Sequence, residues 1–499
     1  MPTYSRPGVY VSESLLPAPR IQNAATANAA GAAVGTFPKG PTDLTLVTSW
    51  YDFTTLFGGL NAAYPSTYQV QSFFQNGGRE LYVIRMLATN ATASQGVVFK
   101  DGTSNAALTL TAKHKGADTN SFKVTVTAGT GANLFDIAIT EVVSGVSGVV
   151  PREFYADVAL TAGVANNAAT VINADSEIVT AVVNDAAATL KLGTVDFSGG
   201  TDGSAITKSN YVPVSGDNVF AALSLASRPL VLFLPSLHSD VTTSSDRAEI
   251  YSAADAWAAG NYSFFVADTV KGLSAAQAVT AKGELPNSAY SAMYWPNVLI
   301  SDPLGRSRKS LRNLAPGGAV AGLFLATDAS RGVFKTPAGL ESSLAGVVSL
   351  EKPLTTADID ALYAGGVNAI RQVPGAGLVV MGGKAAKKER QADQNVAVRR
   401  SLNFLEKSLK DLTEFAIFEN NNALLWARIT TVCTVFLSNY WRAGGLAGET
   451  EPQAFFVKCD AENNTQTTIQ NGEVHIEIGV AVQYPTEFVV IRLSQQAGV

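Results

Sequence analysis

Few residues in this sequence have the types and spacing that chemistry requires. Asp196 and Asp202 bracket the Gly-rich run Gly199-Gly200-Thr201-Asp202-Gly203, and carboxylates among glycines are the raw material of a calcium loop. The further acidic ligands of such a loop are missing, so an Asp-Gly turn is the expected structure. Gly317-Gly318, Gly365-Gly366 and the stretch from Gly375-Ala376-Gly377 to Gly382-Gly383 could cradle a phosphate. None combines a preceding strand, G-x-G-x-x-G and a following helix. Gly382-Gly383-Lys384-Ala385 also has alanine where a phosphate loop needs a hydroxyl for magnesium. No serine stands in a G-x-S-x-G elbow, and no carboxylate pair stands out for acid–base work. His114, His238 and His475 show no ligand spacing. Cys433, in an expected helix, and Cys459, in an expected strand, read as buried small hydrophobes. The expectation is a protein that is not an enzyme and needs no metal or cofactor.

One charge cluster does stand out. Lys384, Lys387, Lys388, Arg390, Arg399, Arg400, Lys407 and Lys410 face only Glu389, Asp393 and Glu406, a local surplus of five positive charges in a chain of net charge −5. It reads either as a solvated helix face or as a basic surface for an acidic protein partner, and the second reading is preferred. No aromatic residues interleave the cluster, so nucleic acid is not the expected partner.

The elements that must position these residues follow from periodicity. With 499 residues, the chain exceeds one hydrophobic core. Charged residues are 15% of it, against about 25% in an average soluble protein, and that shortage suits extensive burial against other proteins. The apolar runs are short of membrane-spanning length and no signal-peptide pattern follows Met1, so a soluble chain without membrane insertion is expected.

Residues 1–28 read as an extended N-terminal arm, with the short strand Val9-Tyr10-Val11 set among prolines. Residues 29–87 and 213–345 read as a central α/β domain. Its clearest strand is the continuous apolar run Leu230 to Leu234. Residues 88–212 read as an inserted β-rich outer domain, with strands at 108–110, 122–126, 135–139, 179–183 and 188–192. Residues 346–485 read as a C-terminal domain of mixed sheet and two long helices. Val398, Leu402, Leu405, Leu409 and Leu412 form the apolar stripe of the first helix, and Leu425, Ile429, Val432, Phe436 and Tyr440 that of the second. Val474, Ile476, Ile478, Val480 and Val482 alternate strictly, as in a strand with one buried face. In the final segment, 486–499, Phe488, Val489, Val490, Ile491 and Leu493 are apolar on both faces. Such a strand needs cover on both sides, so both ends are expected to be arms whose partners lie elsewhere.

The order of motifs along the chain resembles the contractile tail sheath proteins of bacteriophages and contractile injection particles. The resemblance is carried by Arg6-Pro7-Gly8-Val9-Tyr10-Val11, Gly77-Gly78-Arg79, Pro316-Gly317-Gly318-Ala319-Val320-Ala321-Gly322, Thr327-Asp328 and Arg331-Gly332-Val333-Phe334-Lys335-Thr336-Pro337-Ala338. It continues through Gly366-Val367-Asn368-Ala369-Ile370-Arg371, Arg399-Arg400, Trp441 with Gly444 to Gly448, Phe455 to Asp460, Asn463-Asn464-Thr465 and Pro485 to Val490. Residues 88–212 carry little of it. At Phe418-Glu419-Asn420-Asn421 the chain lacks the proline that is frequent in the family, which alters a loop.

The resemblance implies a structural subunit that polymerises as stacked hexameric rings around a tail tube. The sheath contracts to drive the tube through the host envelope. The implied partners are further copies of the chain, the tube protein, and baseplate and tail terminator proteins, with synthesis in the host cytoplasm and residence in a virion tail. The resemblance also implies that Val9 to Val11 and Phe488 to Leu493 add strands to a neighbour's sheet. Val474 to Val482 is then the expected acceptor, and Lys384, Lys387, Lys388, Arg390, Arg399 and Arg400 are the expected tube-facing side chains. A headless injection particle and a β-rich surface adhesin are the alternatives.

Overall fold

The computed structural model describes residues 29–143, 148–305, 307, 309–389 and 394–487. Both expected arm strands, Val9 to Val11 and Phe488 to Leu493, lie outside these residues, as does Arg390. The fold is mixed α/β and multidomain. Phe404–Ala481 forms one compact unit, while Ala29–Asn403 and the described residues from Val482 onward form another. No described helix is long and apolar enough to cross a membrane.

The larger unit is built on an eight-stranded sheet. Its order is Gly377–Val380, Asn368–Val373, Ser291–Trp295, Phe264–Ala267, Leu230–Phe233, Ala30–Gly35, Leu81–Arg85 and Thr45–Val47. The inner strands run parallel, and the two edge strands run antiparallel. The run Leu230–Phe233 shows why both faces are covered. Leu230 and Leu232 enter one core with Ile250, Ala254 and Trp257 of helix Ser244–Gly260. Val231 and Phe233 enter the opposite core with Phe73 and with Val320 and Phe324 of helix Gly317–Arg331. A side-chain period of two across a sheet sandwiched by helices dictates this division. Helix Gly317–Arg331 packs backbone against backbone on helix Pro65–Gln75. A Cβ at Gly318 would lie 2.2 Å from the Gln69 carbonyl oxygen, and one at Gly322 2.3 Å from that of Phe73.

The strands Asn368–Val373 and Gly377–Val380 belong to this central sheet, although the sequence reading placed them in a domain beginning at 346. Asn368 and Ala369 pair in parallel with Tyr294 and Trp295. Likewise Val347–Leu350 pairs with Val298–Ser301, in a small sheet completed by Leu311–Leu314. Periodicity shows that a strand exists but not which sheet recruits it.

Residues 95–196 form a three-stranded and a four-stranded antiparallel sheet around their own core, which includes Val98, Leu108, Leu110, Val124, Ile137, Ile139, Ile172 and Val179. The expected strand at 188–192 is instead a single bridge between Lys100 and Leu190. Strands Gln95–Phe99 and Gly193–Asp196 were not expected, nor were two longer elements. Strand Val150–Val158 is irregularly registered and buries only Tyr155 and Val158. Helix Ala168–Asp175 is poor in helix-specific signals apart from its Asn167 cap.

Arg85, at the end of its strand, ties this region to the central sheet. Its guanidinium is fully buried. It donates to the carbonyls of Phe37 (3.1 Å), Pro38 (3.2 Å), Gly40 (3.0 Å) and Lys115 (2.7 Å), and to Asp202 Oδ1 (3.3 Å). Asp118 Oδ1 lies 3.5 Å away. Asp202 thus serves as a counter-ion and also accepts from the Ala117 amide and the Tyr64 hydroxyl. Asp196 pairs with Lys123 at 2.7 Å.

Candidate functional site

The unit Phe404–Ala481 presents a sheet of two strands among the described residues. Phe455–Lys458 and Glu477–Val480 run antiparallel, pairing Phe455 with Val480 and Val457 with Ile478. The Ala481 amide extends the ladder to the Ala454 carbonyl (2.8 Å). One face lies on helix Ala423–Arg442, where Val457, Ile478, Val474 and Ile476 pack with Leu425, Trp426, Ile429, Cys433 and Cys459. The helix begins at Asn422, whose side chain accepts from the Leu424 and Leu425 amides. Its buried stripe is Leu425, Ile429, Cys433 and Leu437. The expected member Tyr440 is buried as well, and Phe436 and Tyr440 pack against the Phe404 ring.

The alternating run is a shorter strand than its pattern suggests. Val474, Ile476 and Ile478 do share one face, but pairing begins only at Glu477. Asn464 explains the difference. Its side chain accepts from the His475 amide (2.7 Å) and donates to the His475 carbonyl (3.0 Å), so those groups need no strand partner. The neighbouring motif residues have equally local tasks. Asn463 accepts from the Asp460 amide and donates to the Lys458 carbonyl, and Thr465 caps helix Gln466–Gln470. In the loop that lacks the family proline, Asn421 accepts from the Trp426 indole (2.8 Å) and donates to the Glu473 carbonyl (2.8 Å).

Cys433 and Cys459 are free thiols in this core, and burial pushes the Cys433 thiol up to about 11. We expect neither to react with an aromatic disulfide reagent in native protein, and both to react on unfolding in urea; rapid native labelling of either would contradict the packing.

The structure redistributes the basic segment. Arg400 faces inward. Its guanidinium, 4% exposed, grips Asp328 through two contacts of 2.8 and 2.5 Å and stacks on Phe324. That removes Arg400 from the tube-facing candidates, because an already paired, buried charge presents no surface. The pair joins two of the motif segments, Thr327-Asp328 and Arg399-Arg400. Arg399 lies over the Tyr290 ring and donates to Asn403 Oδ1 (2.8 Å). Lys387 pairs with Glu389 at 3.4 Å, while Lys388 is exposed. The Lys384 backbone is held by the buried Asn368 side chain, which accepts from its amide and donates to its carbonyl, both at 2.7 Å.

A second place for chemistry in an open parallel sheet is the carboxyl end of its strands. Here that space is occupied by side chains that bond one another. The Ser236 hydroxyl donates to Asp240 Oδ2 (2.6 Å) and accepts from the Thr36 amide (2.9 Å), and Tyr211 donates to Asp240 (3.1 Å). Burial raises the Asp240 carboxyl to about 6 and lowers His238 to about 4. Among the described residues, no group of three His, Cys, Asp or Glu side chains could hold a metal.

These features define a multidomain α/β protein with the fold of contractile sheath subunits. The sheath tail protein of Listeria innocua aligns over 93% of this chain and 98% of its own, at TM-score 0.64 and 13% identity. The helical sheath of the anti-feeding prophage in its contracted state aligns over 99% and 100%, at TM-score 0.59 and 22% identity. At such identities the likeness is one of fold. The family match lies in the C-terminal part, where residues 390–496 match the model of the phage tail sheath C-terminal domain. The tail sheath protein of Vibrio phage KVP40 is 30% identical over 176 residues, 35% of this chain and 25% of the relative. That of Enterobacteria phage T4 is 28% identical over 155 residues, 31% of this chain and 23% of the relative. The chain therefore spans about a quarter of the length of these curated relatives. The resemblance read from the motifs is borne out.

Proposed function

We propose that the chain is a structural subunit of a contractile tail sheath. In this reading, copies assemble as stacked hexameric rings around a tail tube, between baseplate and terminator proteins. The sheath then shortens to drive the tube through a host envelope. The role is mechanical and requires no cofactor or catalytic group. The observation that carries it is the sheet Phe455–Lys458 with Glu477–Val480, which sits in the segment matching the sheath family and has one strand-free side on each strand among the described residues. An isolated two-stranded sheet is marginal, and its free sides invite strand addition.

The arms Val9 to Val11 and Phe488 to Leu493 supply those strands from neighbouring copies. Each added hydrogen bond contributes roughly 1 kcal/mol, and each of Phe488, Val490 and Ile491 about 1.5–3 kcal/mol on burial. Contacts of this head-to-tail kind propagate as a helical lattice. Lys387, Lys388 and Arg390 remain the tube-facing candidates.

Electron microscopy of the purified chain tests the reading. Tubes or contracted cylinders are expected, whereas an adhesin would give discrete particles. Deleting residues 1–12 or 486–499 should leave circular dichroism unchanged and abolish the polymers. Long sheaths from either truncated protein would sink the arm assignment. The proposal covers a phage tail and a headless injection particle alike, and nucleic-acid content of purified particles separates the two.

A further inference from the structure

The positive charge around Lys384 is greater than the 384–410 segment reveals, because the fold adds Lys282 to it. Lys282 follows helix Ala275–Ala281 and is 6% exposed. Among the described residues its ammonium has no hydrogen-bond acceptor and no ion-pair partner. The ammonium occupies space that Gly366 leaves open, since a Cβ on Gly366 would lie 2.5 Å from Lys282 Nζ. Gly366, at φ +69°, is the left-handed cap of helix Thr356–Gly365, so the ammonium sits at the carbonyl end of that helix.

Lys384 reaches the same helix end. Its Nζ lies 3.4 Å from the centroid of the Tyr363 ring and 3.4 Å from the Tyr363 carbonyl oxygen. Burial lowers the Lys282 pKa, and the charges of Lys388 and Lys384 lower it further. The buried Lys282 stem thus brings a second ammonium to the helix end that Lys384 reaches.

The anion at this place is Glu487. The Tyr363 hydroxyl donates to Glu487 Oε2, and that bond raises the tyrosine pKa to about 12. Lys384 also feels the Glu487 charge. The nearby Glu389 is engaged elsewhere, pairing with Lys387 and accepting from the Asn287 amide at 3.1 Å.

We propose that Lys282, Lys384 and the Tyr363 hydroxyl form a carboxylate-binding socket whose ligand is the Glu487 side chain. The Tyr363 hydroxyl holds the carboxylate, and Lys384, seated over the Tyr363 ring, adds positive charge beside it. Lys282 is a positioning residue that raises the local positive potential. The socket fixes the chain one residue before Phe488, so the proposed C-terminal arm departs from a set point on the central body. Only that use of the socket rests on the sheath proposal.

Hydrogen exchange at residues 482–487, measured by mass spectrometry on the full chain kept unpolymerised, tests the socket itself. Glu487→Gln and Tyr363→Phe should each speed exchange about tenfold, the effect of losing one charge-assisted hydrogen bond. Lys282→Met should speed it severalfold. Raising sodium chloride to about 0.5 M should speed exchange in the natural chain and not in Glu487→Gln. Unchanged exchange in both Glu487→Gln and Tyr363→Phe overturns the socket. Unchanged exchange in Lys282→Met overturns the part assigned to Lys282. Sheath formation by the same variants is read separately, so the socket and the arm can each fail without the other.

Discussion

Replacing Arg85 by methionine is expected to destabilise the central unit by about 3–5 kcal/mol, the usual cost of breaking a buried, hydrogen-bonded charge network from one side. Methionine fills much of the volume, so the loss is electrostatic. Four backbone carbonyls, those of Phe37, Pro38, Gly40 and Lys115, lose their donor at once. Asp118 and Asp202 then face each other without the cation that separates them. Burial already raises the Asp118 carboxyl to about 6 with Arg85 in place, and Asp202 pushes in the same direction. Without Arg85 it rises further. An acid whose folded pKa exceeds its unfolded value stabilises the fold in its protonated state and loses that stability as pH rises. The gap between natural and variant protein should therefore be widest above pH 7 and narrow on acidification below about 6. Urea midpoints at several pH values measure this. A loss under about 1 kcal/mol, or a gap that ignores pH, would show that Arg85 is not the tie between the central sheet and the 95–196 region.

Asp268→Asn has the opposite sign. Asp268 is 5% exposed and accepts from the Gly317 amide (2.7 Å) at the start of helix Gly317–Arg331. The helix end favours the anion, but burial outweighs it and raises the carboxyl to about 7. In the folded chain the proton is held up to about pH 7; in the unfolded chain it leaves near pH 4. Relative to the asparagine variant, the natural chain is thus most stable below pH 4 and loses ground as pH rises through 7. Asparagine keeps the acceptor for Gly317 and carries no charge. A shift of about three pKa units corresponds to roughly 4 kcal/mol between pH 4 and pH 8, an upper figure. The variant should therefore unfold later than the natural chain at pH 8. Asp240 and Asp118 titrate in both proteins and cancel in the difference. Parallel pH profiles would refute the assignment.

Much of the fold was legible because burial leaves a local imprint. Leu230 to Leu234, apolar without interruption, announced a strand covered on both faces, and its residues divide between two cores. The heptad-like spacing from Val398 to Leu412 and the run from Leu425 to Tyr440 announced the two long helices, Val396–Thr413 and Ala423–Arg442. Where a strand buries little, as at Val150–Val158, the imprint fades and the element was missed. The candidate site was legible in part. Val474, Ile476 and Ile478 were rightly grouped on one face, but Asn464 ended the strand early by bonding a backbone that the pattern alone would have paired.

Charge partners left no such imprint. Arg400 resembled its exposed neighbours until Asp328, 72 positions away, claimed it. Lys282 lies a hundred positions from the segment whose charge it completes, and Asp202 looked like a turn residue until Arg85 met it. Residue spacing revealed the well-buried strands and helices and the faces they bury, since it sets the angle at which side chains project. Which strand joins which sheet, and which charges meet, was set by the folded chain as a whole. Those choices depend on strand order and loop paths, and so on free energies summed over the whole chain.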